Sequence, residues 1–138
     1  MPNWCYNRIT VYGNEQTEKI KEVEKIFESK TPFNDIFPQP DWKNTPNEKG
    51  ELPVLVELKS PNGKNDDRWY HWCVENWDTK WEPDMLGIEV QDYDTLEISF
   101  NTAWSPPEGV VEKLREKFPE LTFQCFYDEP GCEIAGYY

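Results

Sequence analysis

Three stretches of this chain alternate apolar and polar side chains with a period of two, and two stretches between them repeat at helical spacing. That combination allows little except helices packed on a half-buried sheet. In Cys5-Tyr6-Asn7-Arg8-Ile9-Thr10-Val11-Tyr12, residues Cys5, Ile9 and Val11 fall on one face and Arg8 and Thr10 on the other. Leu96, Ile98 and Phe100 alternate with Glu97, Ser99 and Asn101, and Leu121, Phe123, Cys125 and Tyr127 alternate with polar positions. From Thr17 to Ser29, Ile20, Val23, Ile26 and Phe27 mark one amphipathic helix. Val110, Val111, Leu114 and Phe118 give a second helix its buried stripe, ended by Pro119, with Ser105 as the expected N-cap ahead of Pro106, Pro107 and Glu108.

The segment 31–65 holds Pro32, Pro38, Pro40, Pro46, Pro53 and Pro61, which remove backbone donors and fix φ, so it reads mostly as loop. Within it Leu52 to Leu58 has the composition of one short strand. Asp66 to Trp77 is free of Pro and Gly and carries Trp69, Trp72 and Cys73 at i, i+3 and i+4, the spacing of a short aromatic helix. Leu86 to Gln91 and Thr95 to Ala103 flank Asp92-Tyr93-Asp94 as a hairpin, and Pro130-Gly131 turns the chain into a last strand, Cys132 to Tyr138. The order contains βαββαβ, in which two helices cover one face of an antiparallel sheet. The reading is therefore an α+β, ferredoxin-like single domain over 1–138, with a proline-rich insert at about 31–77 containing a short aromatic helix.

Fourteen basic against twenty-seven acidic residues leave a net charge of -13, which repels phosphate backbones and anionic lipid. Direct nucleic-acid binding is disfavoured; the charge serves either as a solubilising coat or as a surface that competes for basic protein clefts. No run approaches the roughly 18 apolar residues of a membrane span. The amino terminus has no basic segment followed by an apolar one, so a cytoplasmic protein without membrane contact is expected. Seven Trp supply the apolar area that the scarce aliphatics do not. With no signal for secretion, Cys5, Cys73, Cys125 and Cys132 are read as reduced.

His71, Cys73, Cys125 and Cys132 form the one cluster with metal-ligand chemistry, but they are spread over a helix and two strands instead of arriving in close pairs. No metal and no cofactor are expected. A thiol nucleophile with His71 as base needs the fold to bring Cys125 or Cys5 to it, and no third orienting residue is identifiable. Asp92/Asp94 and Asp128/Glu129 sit at turns, where carboxylates satisfy local backbone donors. No Gly-rich phosphate loop, GxSxG elbow or HExxH helix is present. The informative blocks are Trp77-Asp78-Thr79-Lys80-Trp81 and Trp104-Ser105-Pro106-Pro107. Trp beside Pro and Lys makes either a rigid core corner or an aromatic binding platform; in the second case Trp77, Lys80, Trp81 and Trp104 contact the partner.

Four blocks in order, Met1-Pro2-Asn3-Trp4-Cys5, Asn76-Trp77-Asp78-Thr79-Lys80-Trp81, Thr102-Ala103-Trp104-Ser105-Pro106-Pro107 and Tyr127-Asp128-Glu129-Pro130-Gly131, resemble the YubB ferredoxin-like family, a set of plasmid- and phage-borne proteins of no established activity. The resemblance runs over most of the chain outside Pro38 to Asp66 and implies a ferredoxin-like domain of a mobile element or its bacterial host, with no catalytic residue to carry over. Asp78 stands where that family commonly has Gly, which weighs against a tight left-handed turn there. The expected function is a non-enzymatic interaction module that binds a host or phage protein. One alternative is an acidic anti-defence inhibitor whose carboxylates imitate phosphates in a nuclease cleft; another is a small hydrolase or metal enzyme.

Overall fold

In the computed structural model, which describes residues 3–92 and 94–138, the period-two stretches are strands and the helical stretches are helices. Tyr93 of the expected hairpin turn and Met1-Pro2 of the first resemblance block lie outside the described residues. The order is β1 (Trp4–Tyr12), α1 (Thr17–Glu28), α2 (Pro32–Ile36), α3 (Arg68–Asn76), β2 (Asp84–Asp92), β3 (Thr95–Ala103), α4 (Glu108–Lys117), β4 (Thr122–Glu129), a 3-10 turn (Pro130–Cys132) and β5 (Ile134–Tyr137).

β1 is central and pairs antiparallel with β3 on one side and β4 on the other, giving the sheet order β2-β3-β1-β4-β5. The crossover from β1 to β2 skips a place that β3 fills, and the crossover from β3 to β4 skips the place of β1. This is the split βαβ arrangement inferred from the sequence, with β5 added as an outer strand on β4. Cys5, Ile9 and Val11 of β1, Leu96, Ile98 and Phe100 of β3, and Phe123 and Cys125 of β4 face the helices. There all of these but Cys5 share one apolar cluster with Ile20, Val23 and Phe27 of α1 and Val110, Val111 and Leu114 of α4. Ile26, expected in the α1 stripe, is only partly buried.

One polar path crosses this apolar layer. Asn7 donates to the Cys5 carbonyl at 3.0 Å and to Thr102 Oγ1 at 2.9 Å, while its own Oδ1 accepts the Tyr138 hydroxyl at 2.8 Å. The Thr102 hydroxyl donates to the Ser105 carbonyl at 2.7 Å, so every member of the path is satisfied.

The insert is less separate than its composition suggests. α2, unforeseen in a stretch read as loop, starts at Pro32, and the Glu82 carboxylate accepts the N–H groups of Phe33 at 2.8 Å and Asn34 at 3.0 Å in place of a side-chain cap from Thr31. Phe33 is buried against Phe100, 5.8 Å between rings, and against Trp77, 5.7 Å. Trp72 and Trp77 of the α3 end lie 5.9 Å apart, and the Trp77 indole donates to the Phe37 carbonyl at 2.9 Å. Both ends of the insert thus belong to the core, and only the chain between them loops outside.

Three local expectations are corrected. Leu52 to Leu58 is not a strand: Val54 makes one isolated bridge to Lys59, and Glu57 and Leu58 turn the chain at φ 56° and 50°. Beyond that single bridge no strand among the described residues lies alongside to extend the pairing, and Leu55 and Val56 stand 72% and 67% exposed. Cys132 closes the 3-10 turn instead of opening the last strand, because Glu133 at φ 55° breaks the extended path. Ser105 does not cap α4; its hydroxyl donates to the Asp78 carbonyl, and Pro107 stands at the helix boundary.

Candidate functional site

The sequence blocks around Trp77 and Trp104 meet at one end of the sheet, where β1 and β2 begin and β3 ends. They divide between core and surface. Trp77 is 0% exposed, so the expectation that it contacts a partner is corrected: packing against Phe33 and Trp72 and its indole bond to Phe37 place it among the core aromatics. Lys80, Trp81 and Trp104 come together outside. The Lys80 ammonium lies 4.2 Å from the centre of the Trp81 ring and 4.0 Å from that of Trp104, a cation held between two indole faces. Trp81 is 36% exposed and Trp104 45%.

A fourth member, Trp4, was not singled out as a site residue. It is 37% exposed and its ring lies 6.5 Å from Trp81. The signal was present in the β1 alternation, since Trp4 has the parity of Arg8 and Thr10 and thus points away from the helices.

The backbone beneath these rings is firmly tied. Thr79, buried, donates its hydroxyl to the Ala103 carbonyl at 3.0 Å, joining the segment before β2 to the end of β3. The Trp104 N–H donates to the Asn3 carbonyl at 2.8 Å. Ser105 N–H donates to the Ala103 carbonyl at 2.9 Å, spanning a three-residue turn whose centre, Trp104, has φ 70°. That is the γ-turn with positive central φ, a rare and strained form, and a bulky aromatic is a costly residue to hold there. Asp78, at φ 66°, does form the left-handed turn that its side chain was expected to oppose. Its carboxylate accepts the Gly109 N–H at 2.9 Å, in the first turn of α4, which offsets the cost of its backbone conformation.

The other candidate chemistry does not assemble. Cys73 is buried beneath α3 while His71, two residues away, is exposed and 3.7 Å from Asp67. Burial pushes the Cys73 and Cys125 thiols up to about 12, and burial together with Glu129 pushes Cys5 up to about 11. These thiols stay protonated near neutral pH and are poor nucleophiles. Among the described residues no three His, Cys, Asp or Glu side chains gather as metal ligands. Asp92 accepts the Asp94 N–H at 2.8 Å and Asp94 accepts the Glu15 N–H at 3.2 Å, so this carboxylate pair satisfies backbone donors at the strand ends. No helix of the described residues is long and apolar enough to cross a membrane.

Residues 76–138 match the model of a family described as a ferredoxin-like domain in Api92-like protein, a description that gives a fold and no activity. The YubB name is not the one this match carries. The matched stretch takes in Lys80, Trp81 and Trp104, while Trp4 lies before it. A comparison with curated proteins gives no match. Among solved structures, the crystal structure of a protein api92 from Yersinia pseudotuberculosis aligns with a TM-score of 0.58 at 10% identity, over 99% of this chain and 93% of that one. The chain therefore carries a ferredoxin-like α+β fold, and its residues 76–138 are similar to the domain found in Api92-like protein.

Proposed function

We propose that this protein is a non-enzymatic protein-interaction module of a phage, a plasmid or a bacterial host, acting in the host cytoplasm, and that Trp4, Lys80, Trp81 and Trp104 form its contact surface. The observation that carries this reading is Trp104: it is held at φ 70° in a strained turn and is 45% exposed. Strain of this kind costs on the order of 1 to 3 kcal/mol and persists where its surroundings enforce it, often at binding sites. Here the enforcing bonds come from Asn3 and Ala103, and they present an indole to solvent instead of burying it. Trp is also one of the residues enriched among interface anchors.

Phosphate mimicry has less support. It calls for rows of carboxylates on one face, yet on α1 and α4 the acids are interleaved with lysines, as in Lys21–Glu18 at 3.7 Å and Lys113–Glu116 at 3.4 Å. For an enzymatic reading, no constellation of acid, base and nucleophile is assembled among the described residues.

Affinity capture from nuclease-treated host lysate tests the proposal, comparing wild type with a Trp81→Ala/Trp104→Ala double variant. A stoichiometric protein bound by the wild type and lost from the folded double variant is expected. Equal capture by both would remove these residues from the contact surface, and loss of the captured partner on nuclease treatment would overturn the protein-binding reading.

A further inference from the structure

The geometry points to a carboxylate as the group this surface receives: an Asp or Glu side chain of an extended partner segment, seated on the Lys80 ammonium with apolar neighbours against Trp81 and Trp104. This inference rests on the interaction-module reading and adds the chemistry of the partner. Its first support is charge. The chain has 27 acidic residues against 14 basic, and among the described residues no carboxylate lies within 4.0 Å of the Lys80 ammonium; most of the other lysines are also without one, and what sets Lys80 apart is that its ammonium lies over two indole rings. A half-buried cation fixed between two rings and left without a carboxylate in so acidic a chain is complementary to an anion brought from outside.

The second support is order. A surface lysine ordinarily gives up rotamer freedom when it pairs, which is why exposed ion pairs contribute little. Lys80 is already held by two indole faces at 4.2 Å and 4.0 Å, so much of that freedom is gone before a partner arrives. The aromatic walls also reduce the water around the ammonium, which strengthens a direct charge-assisted bond. The third support is number. One cation framed by apolar rings suits one monoanion, whereas a nucleic acid or polyphosphate is gripped by several bases and repelled by a net charge of -13.

A peptide titration followed by the side-chain indole N–H signals of Trp81 and Trp104 in a two-dimensional nitrogen–proton spectrum decides the matter, at constant ionic strength and millimolar peptide. The probes are acetyl-Leu-Glu-Leu-amide, acetyl-Leu-Gln-Leu-amide and inorganic phosphate. Saturable shifts of both indoles with the Glu peptide are expected, with at least tenfold weaker response to the Gln peptide and to phosphate. The preference should disappear in Lys80→Gln, whose remaining signals report that it is folded; if it is not, the wild-type comparison of the peptides decides alone. Equal responses to the two peptides, no saturable shift, or tighter binding of phosphate would each overturn the carboxylate assignment. The two readings fail separately: a captured partner lost from Trp81→Ala/Trp104→Ala but kept by Lys80→Gln leaves the module standing and removes the carboxylate.

Discussion

The carboxylate of Asp78 accepts the backbone N–H of Gly109 at 2.9 Å, joining the turn after α3 to the first turn of α4 across 31 positions of sequence. Gly109 is bound to this junction by space as well: a Cβ on it would stand 1.7 Å from the Asn76 carbonyl oxygen. Gly109→Ala should therefore destabilise the protein by about 1 to 3 kcal/mol or more, since backbone must move to admit a methyl group. At position 78 the expected order of stability is Asp and Asn together, then Gly, then Ala. Asn keeps an acceptor and tolerates positive φ, Gly loses the cap at about 1 kcal/mol, and Ala loses the cap and also carries the backbone cost. Chemical denaturation of the four proteins checks the order; Ala as stable as Asp would show that the junction is not held this way.

Trp104 gives an opposite ranking from the one usual for glycine. Replacing it with Ala keeps a Cβ at φ 70°, while replacing it with Gly removes the strain. Trp104→Gly should be more stable than Trp104→Ala by about 1 kcal/mol, and both should lose the captured partner. Thermal unfolding of the pair provides the measurement, and an Ala variant more stable than the Gly variant would contradict the turn geometry.

Leu114 is fully buried in the α4 stripe against the sheet. Leu114→Ala should cost about 2 to 5 kcal/mol through lost transfer energy and a residual cavity. A denaturation midpoint equal to wild type would mean that the helix face is wrongly oriented.

Acid stability should carry two opposed contributions. The Arg68 guanidinium, 2.7 Å from Asp66, holds that carboxyl below its ordinary range. A lowered folded pKa contributes stability that is present above the unfolded value near 3.9 and is lost as pH falls through the folded one. Burial raises Glu82, only partly opposed by the Phe33 and Asn34 N–H groups. Its contribution is present below about 4.3 and is lost as pH rises through the raised folded pKa. Asp66→Asn should flatten the loss of stability on the acid side, and Glu82→Gln should flatten the loss on the other. Denaturation midpoints between pH 3 and 7 for the two variants distinguish these signs.

The long elements were legible because their periodicity is: the face assignments of β1 and β3 and the buried stripe of α4 follow from spacing alone. α2 was not legible, since five residues opening on Pro32 carry no period, and what stabilises them is Glu82, 49 positions from Phe33. Leu52 to Leu58 has strand composition, but a strand also needs a neighbour, and sequence does not say where neighbours stand. The same limit applied to the tryptophans. Trp77 closes the stretch read as an aromatic helix, one turn beyond Cys73, and Trp81 lies four positions on in an irregular segment; the spacing puts Trp77 on the Cys73 side of the helix but does not tell that this side is the one Phe33 covers. Lys80, Trp81 and Trp104 were recoverable as a set because Lys and Pro beside Trp mark a platform or a corner; Trp4 needed the parity of a strand to be applied to its first residue.

β1 runs down the middle of the sheet with Cys5, Asn7, Ile9 and Val11 turned to the helices and Trp4, Tyr6, Arg8 and Thr10 turned away. Nine consecutive residues thus meet two different surroundings in alternation. Odd positions are held against the helices, and even positions lie on the face that the helices leave uncovered, half-buried at Tyr6, Arg8 and Thr10. A change at an even position such as Arg8, whose guanidinium lies 5.2 Å from the Phe126 ring, therefore alters the outer face of the sheet and leaves the helix-facing core as it is.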